Sequence, residues 1–233
     1  MNRKAVEQYR LSLFGRMVMG VSHEVDNHLS VILGFAELIQ LAGGDERKAV
    51  DAAGKILAAG ERINAIVKQF SHYVRPHAPL REPFVPGEVL AQIVLFAKYD
   101  LGRGNVTLSP PERFPDGLLA GDRRDFALSL LALLVNGAEA MAARGGRLGL
   151  SVEDRGDAWE FRVTDEGPGI PPEVLPRVFE EGFTTRSEPF NAGMGLPVAR
   201  HLVADAGGTV SVGNLATGGC EATIVYPVRP RGR

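Results

Sequence analysis

RKAVEQYRLSLFGRMVMGVSHEVDNHLSVILGFAELIQL, residues 3–41, contains no proline, and its apolar residues recur at alternating spacings of three and four. Leu11, Phe14, Val18, Val21, Val25, Ile32, Phe35 and Ile39 fall on one seam, the pattern of a single long amphipathic helix. The next four residues, AGGD (42–45), place two glycines where that helix must stop and an aspartate where a second can be capped. A second helical run follows, with Val50, Ala53, Leu57, Ile63, Val67, Phe70 and Val74 as its apolar face. It ends before Pro76 and Pro79, which cannot continue a helix. Two such helices on a short turn form a hairpin that cannot bury both stripes alone. Pairing with a second copy into a four-helix bundle is the economical solution, so a homodimer is expected.

Outward from the hairpin the composition changes. RPHAPLREP (75–83) carries three prolines and reads as a linker. Beyond it come a helix over 86–101, a short strand at NVTLS, and a strongly apolar helix over about 122–143. RLGLSVED and AWEFRVTDE alternate as strands, while GTVSVGN and EATIVYP form a closing hairpin. The pattern predicts an α+β sandwich in which helices cover one face of a mostly antiparallel sheet. The expected division is a helical hairpin over 1–78 and an α+β domain over 79–233.

The bulk numbers narrow the classes of function. A net charge of −2 over 233 residues supplies no basic field, so nucleic acid is not an expected partner. A single cysteine, Cys220, excludes an intramolecular disulfide and suits a reducing, cytoplasmic setting. No stretch reaches the roughly 18 apolar residues of a membrane span. The start is charged and helical, unlike a signal peptide.

Chemistry is carried by five short strings. In SHEVDNHLSVILGFAELI (22–39), His23 falls on the outer face of the first helix, where a solvated imidazole can offer a ring nitrogen as nucleophile. Glu24 adjoins it, positioned to orient the ring or take its proton, and Asn27 lies one turn on, on the same face. In ALLVNGAEAM (132–141), Asn136 sits inside an apolar helix, where its amide needs a partner. VTDEGPGIPP (163–172) places a carboxylate, Asp165, directly after a strand and before two glycines. VFEEGFTTRSE (178–188) holds Thr184, Thr185 and Arg186. AGMGLPVARHLVADAGG (192–208) is glycine-rich and opens a helix, with no Gly-Lys-Ser/Thr of a Walker loop.

Together these strings resemble, in order, the boxes of the two-component sensor histidine kinases: a dimerisation and phosphotransfer hairpin followed by an ATPase domain shared with chaperones, gyrase and mismatch-repair proteins. The resemblance implies that His23 accepts the phosphoryl group, with Glu24 as its acidic neighbour. It implies that Asn27 orients a water for dephosphorylating a response regulator. Asn136 would hold Mg²⁺, and Asp165 would accept from the exocyclic amine of adenine. Gly167 and Gly169 would let the backbone approach the base. Thr184, Thr185 and Arg186 would border or contact the polyphosphate under a lid of about 172–193. Gly193, Gly195 and Leu196 form the second glycine box, its helix N-terminus meeting the phosphates. The expected cofactors are ATP and Mg²⁺, and the expected partner is the receiver domain of a separate response regulator.

Three positions depart from the family pattern. His28 stands where proline is usual and falls on the apolar seam, as a packing histidine. Ala132 stands where a further asparagine is common, and loss of its contact costs about 1–3 kcal/mol if the group it served stays unpaired. Pro197, after Leu196, is compatible with a first helical turn. The competing reading is a phosphotransfer or phosphatase protein on the same scaffold with a weakened ATP site. An ATP-driven clamp is disfavoured by the hairpin and its exposed histidine.

Overall fold

The computed structural model describes residues 1–41, 43–75, 80–113, 117–186 and 193–228, with only the backbone at 99, 100, 102 and 103. Pro76, His77 and Pro79 of the linker and residues 187–192 of the expected lid lie outside these residues. The chain divides into two compact units: Met17–Arg75, and Met1–Arg16 together with Pro76–Arg233.

The unit Met17–Arg75 holds most of α1 (Arg3–Leu41) and all of α2 (Glu46–Val74). Gly43 and Gly44 turn the chain with φ of 58° and 92°, a region open to glycine at little cost. Asp45 caps α2 by accepting from the Lys48 backbone N–H at 3.2 Å. Along α1 the seam of Val21, Val25, His28, Ile32, Phe35 and Ile39 is half-buried, as the periodicity predicts. The face expected for α2 is met in part, with Ile63, Phe70 and Val74 half-buried. Its buried positions are Ala52, Ala59, Ile66 and Tyr73, a strict seven-residue repeat, whereas Val50, Leu57 and Val67 are exposed. Two of the four interior positions are alanines, so side-chain size in the sequence pointed to the neighbouring, outward stripe.

The other unit is built on a five-stranded sheet in the order β1-β2-β3-β5-β4: β1 (Val106–Ser109), β2 (Gly146–Asp154), β3 (Ala158–Asp165), β4 (Thr209–Asn214) and β5 (Cys220–Pro227). Only β1 and β2 are parallel, and β4 and β5 form the expected closing pair. Helices α3 (Pro86–Arg103), α4 (Arg123–Ala140) and α5 (Gly195–Asp205) complete it. Alternation places Leu148, Leu150, Phe161, Val163, Ile224 and Tyr226 in the core. Phe126 of α4 meets the rings of Phe161 and Tyr226 at 4.9 and 5.3 Å, edge-on. Gly121, with φ of 148°, is needed because a Cβ there would lie 2.2 Å from the Tyr226 hydroxyl. The architecture is thus a helical region followed by helices on a mostly antiparallel sheet.

The start of α1 belongs to this second unit. Val6, Tyr9, Leu13 and Phe14 are buried, while Leu11 and Val18 of the predicted seam are 50% and 44% exposed. The apolar stripe shifts around the helix because its first turns pack on elements distant in sequence. Arg10, itself buried, donates to Asp125 at 3.0 Å, and Arg16 pairs with Glu139 at 2.7 Å. No helix among the described residues is long and apolar enough to cross a membrane.

Candidate functional site

β3 ends at Asp165, which antiparallel pairing sets opposite Cys220 at the start of β5. Its Oδ1 accepts from the backbone N–H of Gly167 at 2.9 Å and of Cys220 at 3.3 Å. No described residue donates to Oδ2, leaving an acceptor for a ligand. Burial pushes the carboxyl above its ordinary range, offset in part by the two N–H groups and the Arg186 charge. Burial, and then the Asp165 charge, push the Cys220 thiol up to about 11, so it is no nucleophile at neutral pH.

A cavity of about 380 Å³ opens beside this carboxylate. Asn136, Asp165, Gly169, Thr184, Thr185, Arg186, Gly193, Gly195 and Leu196 all line it. Gly167 does not; it holds Asp165, and a Cβ there would stand 2.7 Å from the carboxylate. Gly169, with φ of 79°, turns the chain beside Asn214, whose side chain accepts from the Ile170 N–H and donates to its carbonyl, both at 2.7 Å. The first glycine box is thereby pinned to β4.

On α4, Asn136 finds the partner that its setting demands. Arg186 donates to its Oδ1 at 3.3 Å and its carbonyl at 3.0 Å, and also to Glu139 at 2.6 Å. Glu139 therefore joins Arg186 to Arg16. α5 begins at Gly195, and its first turn presents free N–H groups to the cavity. Pro197 lies in that turn, where its missing N–H breaks no intrahelical bond. Gly193 has φ of 73°, and a Cβ there would fall 2.1 Å from the Phe183 carbonyl. Gly193→Ala is expected to cost roughly 2 kcal/mol, lowering Tm by about 4–8 °C in a calorimetric scan; an unchanged Tm would refute that constraint.

In the other unit, His23 and Asn27 are exposed on α1. The Asn27 amide nitrogen lies 3.2 Å from His23 Nδ1. Turning that amide over makes Oδ1 an acceptor for an Nδ1 proton, the tautomer in which Nε2 carries the ring lone pair. Glu24, adjacent in sequence, has its carboxylate 3.8 Å from Nε2 of half-buried His28.

Tyr9 and Glu139 line the cavity and Asn214 pins its glycine turn, but none of the three carried a legible signal. The apolar setting of Asn136 was the one hint that α4 faced something polar.

Residues 121–230 match the family described as histidine kinase-, DNA gyrase B- and HSP90-like ATPase. Sporulation kinase C of Bacillus subtilis is 24% identical over 97% of this chain and 52% of its own length. The mycobacterial sensor histidine kinase MprB structure is 30% identical with a TM-score of 0.52, covering 65% of this chain and 99% of that one. The histidine kinase ThkA in complex with response regulator protein TrrA is 24% identical with a TM-score of 0.56, over 97% of this chain and 65% of that one. The chain spans between about a third and about half of the full-length relatives it matches. Residues that sequence placed in separate boxes converge on one cavity in a fold shared with these proteins, and the chain belongs to the sensor histidine kinase family.

Proposed function

We propose that this chain autophosphorylates His23 from Mg·ATP and passes the phosphoryl group to an aspartate of a response regulator. The convergence of Asp165, Asn136, Arg186 and both glycine boxes on one cavity carries this reading. Asp165 Oδ2 offers the acceptor for the adenine amine, and the α5 N–H groups and Arg186 offer donors to phosphate. Asn136 Oδ1 and the Glu139 carboxylate are hard oxygen donors suited to Mg²⁺. Among the described residues no group of three or more His, Cys, Asp or Glu could hold an ion unaided, so phosphate oxygens and water would complete its shell. Bound Mg²⁺ supplies charge neutralisation of the phosphates.

The His23 Nε2 lone pair forms a bond to the γ-phosphorus as the β–γ bridging P–O bond breaks. ADP leaves, and the Nδ1 proton passes to solvent with the Glu24 carboxylate as base. A receiver aspartate then takes the phosphoryl group, and Asn27 orients the water for the opposing reaction, hydrolysis of the phosphoaspartate to free phosphate. The complex of ThkA with TrrA supports a receiver as partner. Incubation with γ-labelled ATP tests the reading: acid-labile, base-stable label on the chain is expected, and its absence overturns it. Ala132, buried on the cavity wall without a polar group, favours a second reading as a phosphotransfer or phosphatase protein. Mg·ATP affinity separates the two, since a degenerate site binds weakly.

The hairpin is read as the dimerisation element. Leu29, Leu33 and Leu38 of α1 and Val50, Leu57 and Val67 of α2 are exposed within one chain. Burying each is worth about 1.5–3 kcal/mol. Light scattering is expected to give twice the 25.0 kDa chain mass, and the double change Leu33→Glu with Leu57→Glu to give the single mass. A monomeric parent would rule the dimer out.

A further inference from the structure

Tyr9 also lines the cavity, although it lies on α1 far in sequence from every glycine box. Its side chain is 4% exposed and accepts or donates no hydrogen bond among the described residues. The hydroxyl nevertheless has a definite aim. A Cβ placed on Gly195, the first residue of α5, would stand 3.1 Å from it, and 4.0 Å from the Ala132 carbonyl. The ring is buried while the hydroxyl borders the cavity, where a ligand can supply the partner that the protein does not.

The surroundings show why Tyr9 sits there. Asp125, Ala132 and Glu139 recur every seventh residue on α4 and so share one of its faces. The outer two are tied to α1, by Arg10 and Arg16 respectively. Ala132, midway between the ties, therefore faces the same segment of α1, and its small side chain leaves room for it.

We propose that the first four turns of α1 are a wall of the nucleotide site and that Tyr9 contacts the nucleotide, its hydroxyl donating to a phosphate oxygen at the start of α5. This rests on the reading of the cavity as an ATP site. Tyr9 then supplies a polar contact on the side where Ala132 offers none. No covalent change at Tyr9 is involved.

Binding of Mg·ATP and of adenosine to the full chain tests this. Tyr9→Phe keeps the ring and removes only the donor. It is expected to weaken Mg·ATP about tenfold and to leave adenosine within about twofold, because adenosine has no phosphate. Equal weakening of both ligands would make Tyr9 merely structural, and no weakening of either would remove it from the site. Tighter Mg·ATP binding by Tyr9→Ala would make it an occluding group and overturn the proposal likewise. A parent chain that binds neither ligand would instead sink the ATP reading itself. Stability provides a second check: Ala132→Asn and Tyr9→Ala are expected to be less destabilising together than the sum of their separate effects. Strict additivity would show that Ala132 does not accommodate the α1 wall.

Discussion

His23→Ala is expected to lower γ-phosphate incorporation by at least about 10³-fold, since alanine offers no lone pair for attack on phosphorus. Mg·ATP affinity is expected to stay within about twofold, because His23 does not line the cavity that holds the glycine boxes. That separation gives the measurement its force: a binding assay and a labelling assay on one variant must disagree. His28 is the only other histidine near that point of the helix, half-buried and 3.8 Å from Glu24. His28→Ala is expected to retain label, since its ring lies on the seam rather than the outer face. Label that persists at the parental level in His23→Ala would end the assignment.

Asp165→Asn should produce the second large effect, a loss of Mg·ATP affinity of roughly 10–100-fold. The carboxylate is 8% exposed, and two backbone N–H groups fix Oδ1, so Oδ2 has one orientation to offer. An amide would have to keep its oxygen on those N–H groups and present a donor, –NH₂, to an amine. Replacement thus turns an attraction into a donor–donor clash, which exceeds the loss of a single bond. Equilibrium titration with Mg·ATP measures it, and unchanged affinity would move the adenine elsewhere. The pH dependence has a fixed sign. Burial raises the Asp165 pKa, so the proton that spoils the acceptor binds at higher pH than it would to an ordinary aspartate. Affinity should therefore begin to fall on acidification above the usual carboxylate range, and Asp165→Asn should abolish that part of the profile. For folding the same shift works the other way: it favours the native state below the unfolded pKa, and that contribution is lost as pH rises through the folded value.

What could be read in the sequence was whatever local chemistry dictates. AGGD had to turn, strand alternation had to make a sheet, and the two glycine boxes had to flank a ligand. Asn136 was legible because an amide in an apolar helix demands a partner. What escaped were relations made only by tertiary packing. The α2 interior was misplaced because alanines at 52 and 59 do the burying while Val50 and Leu57 attract the eye. Tyr9 and Arg10 looked like ordinary residues of an amphipathic start, since Gly195 and Asp125, which they face in the fold, lie more than 100 residues away. The same distance hid Glu139, which is one acidic residue among many until Arg16 and Arg186 meet on it.

The division of the compact units inside α1 also bears on the order in which the chain acquires structure. The residues that complete the sheet domain emerge from the ribosome before the strands and helices that receive them. Val6, Tyr9, Leu13 and Phe14 must wait without a core while the hairpin, local in its contacts, forms behind them. Closing the Arg10–Asp125 pair spans 115 positions, and such long-range contacts come late because loop closure precedes their reward. During that interval four apolar side chains stand without the core that later covers them, a stage exposed to aggregation.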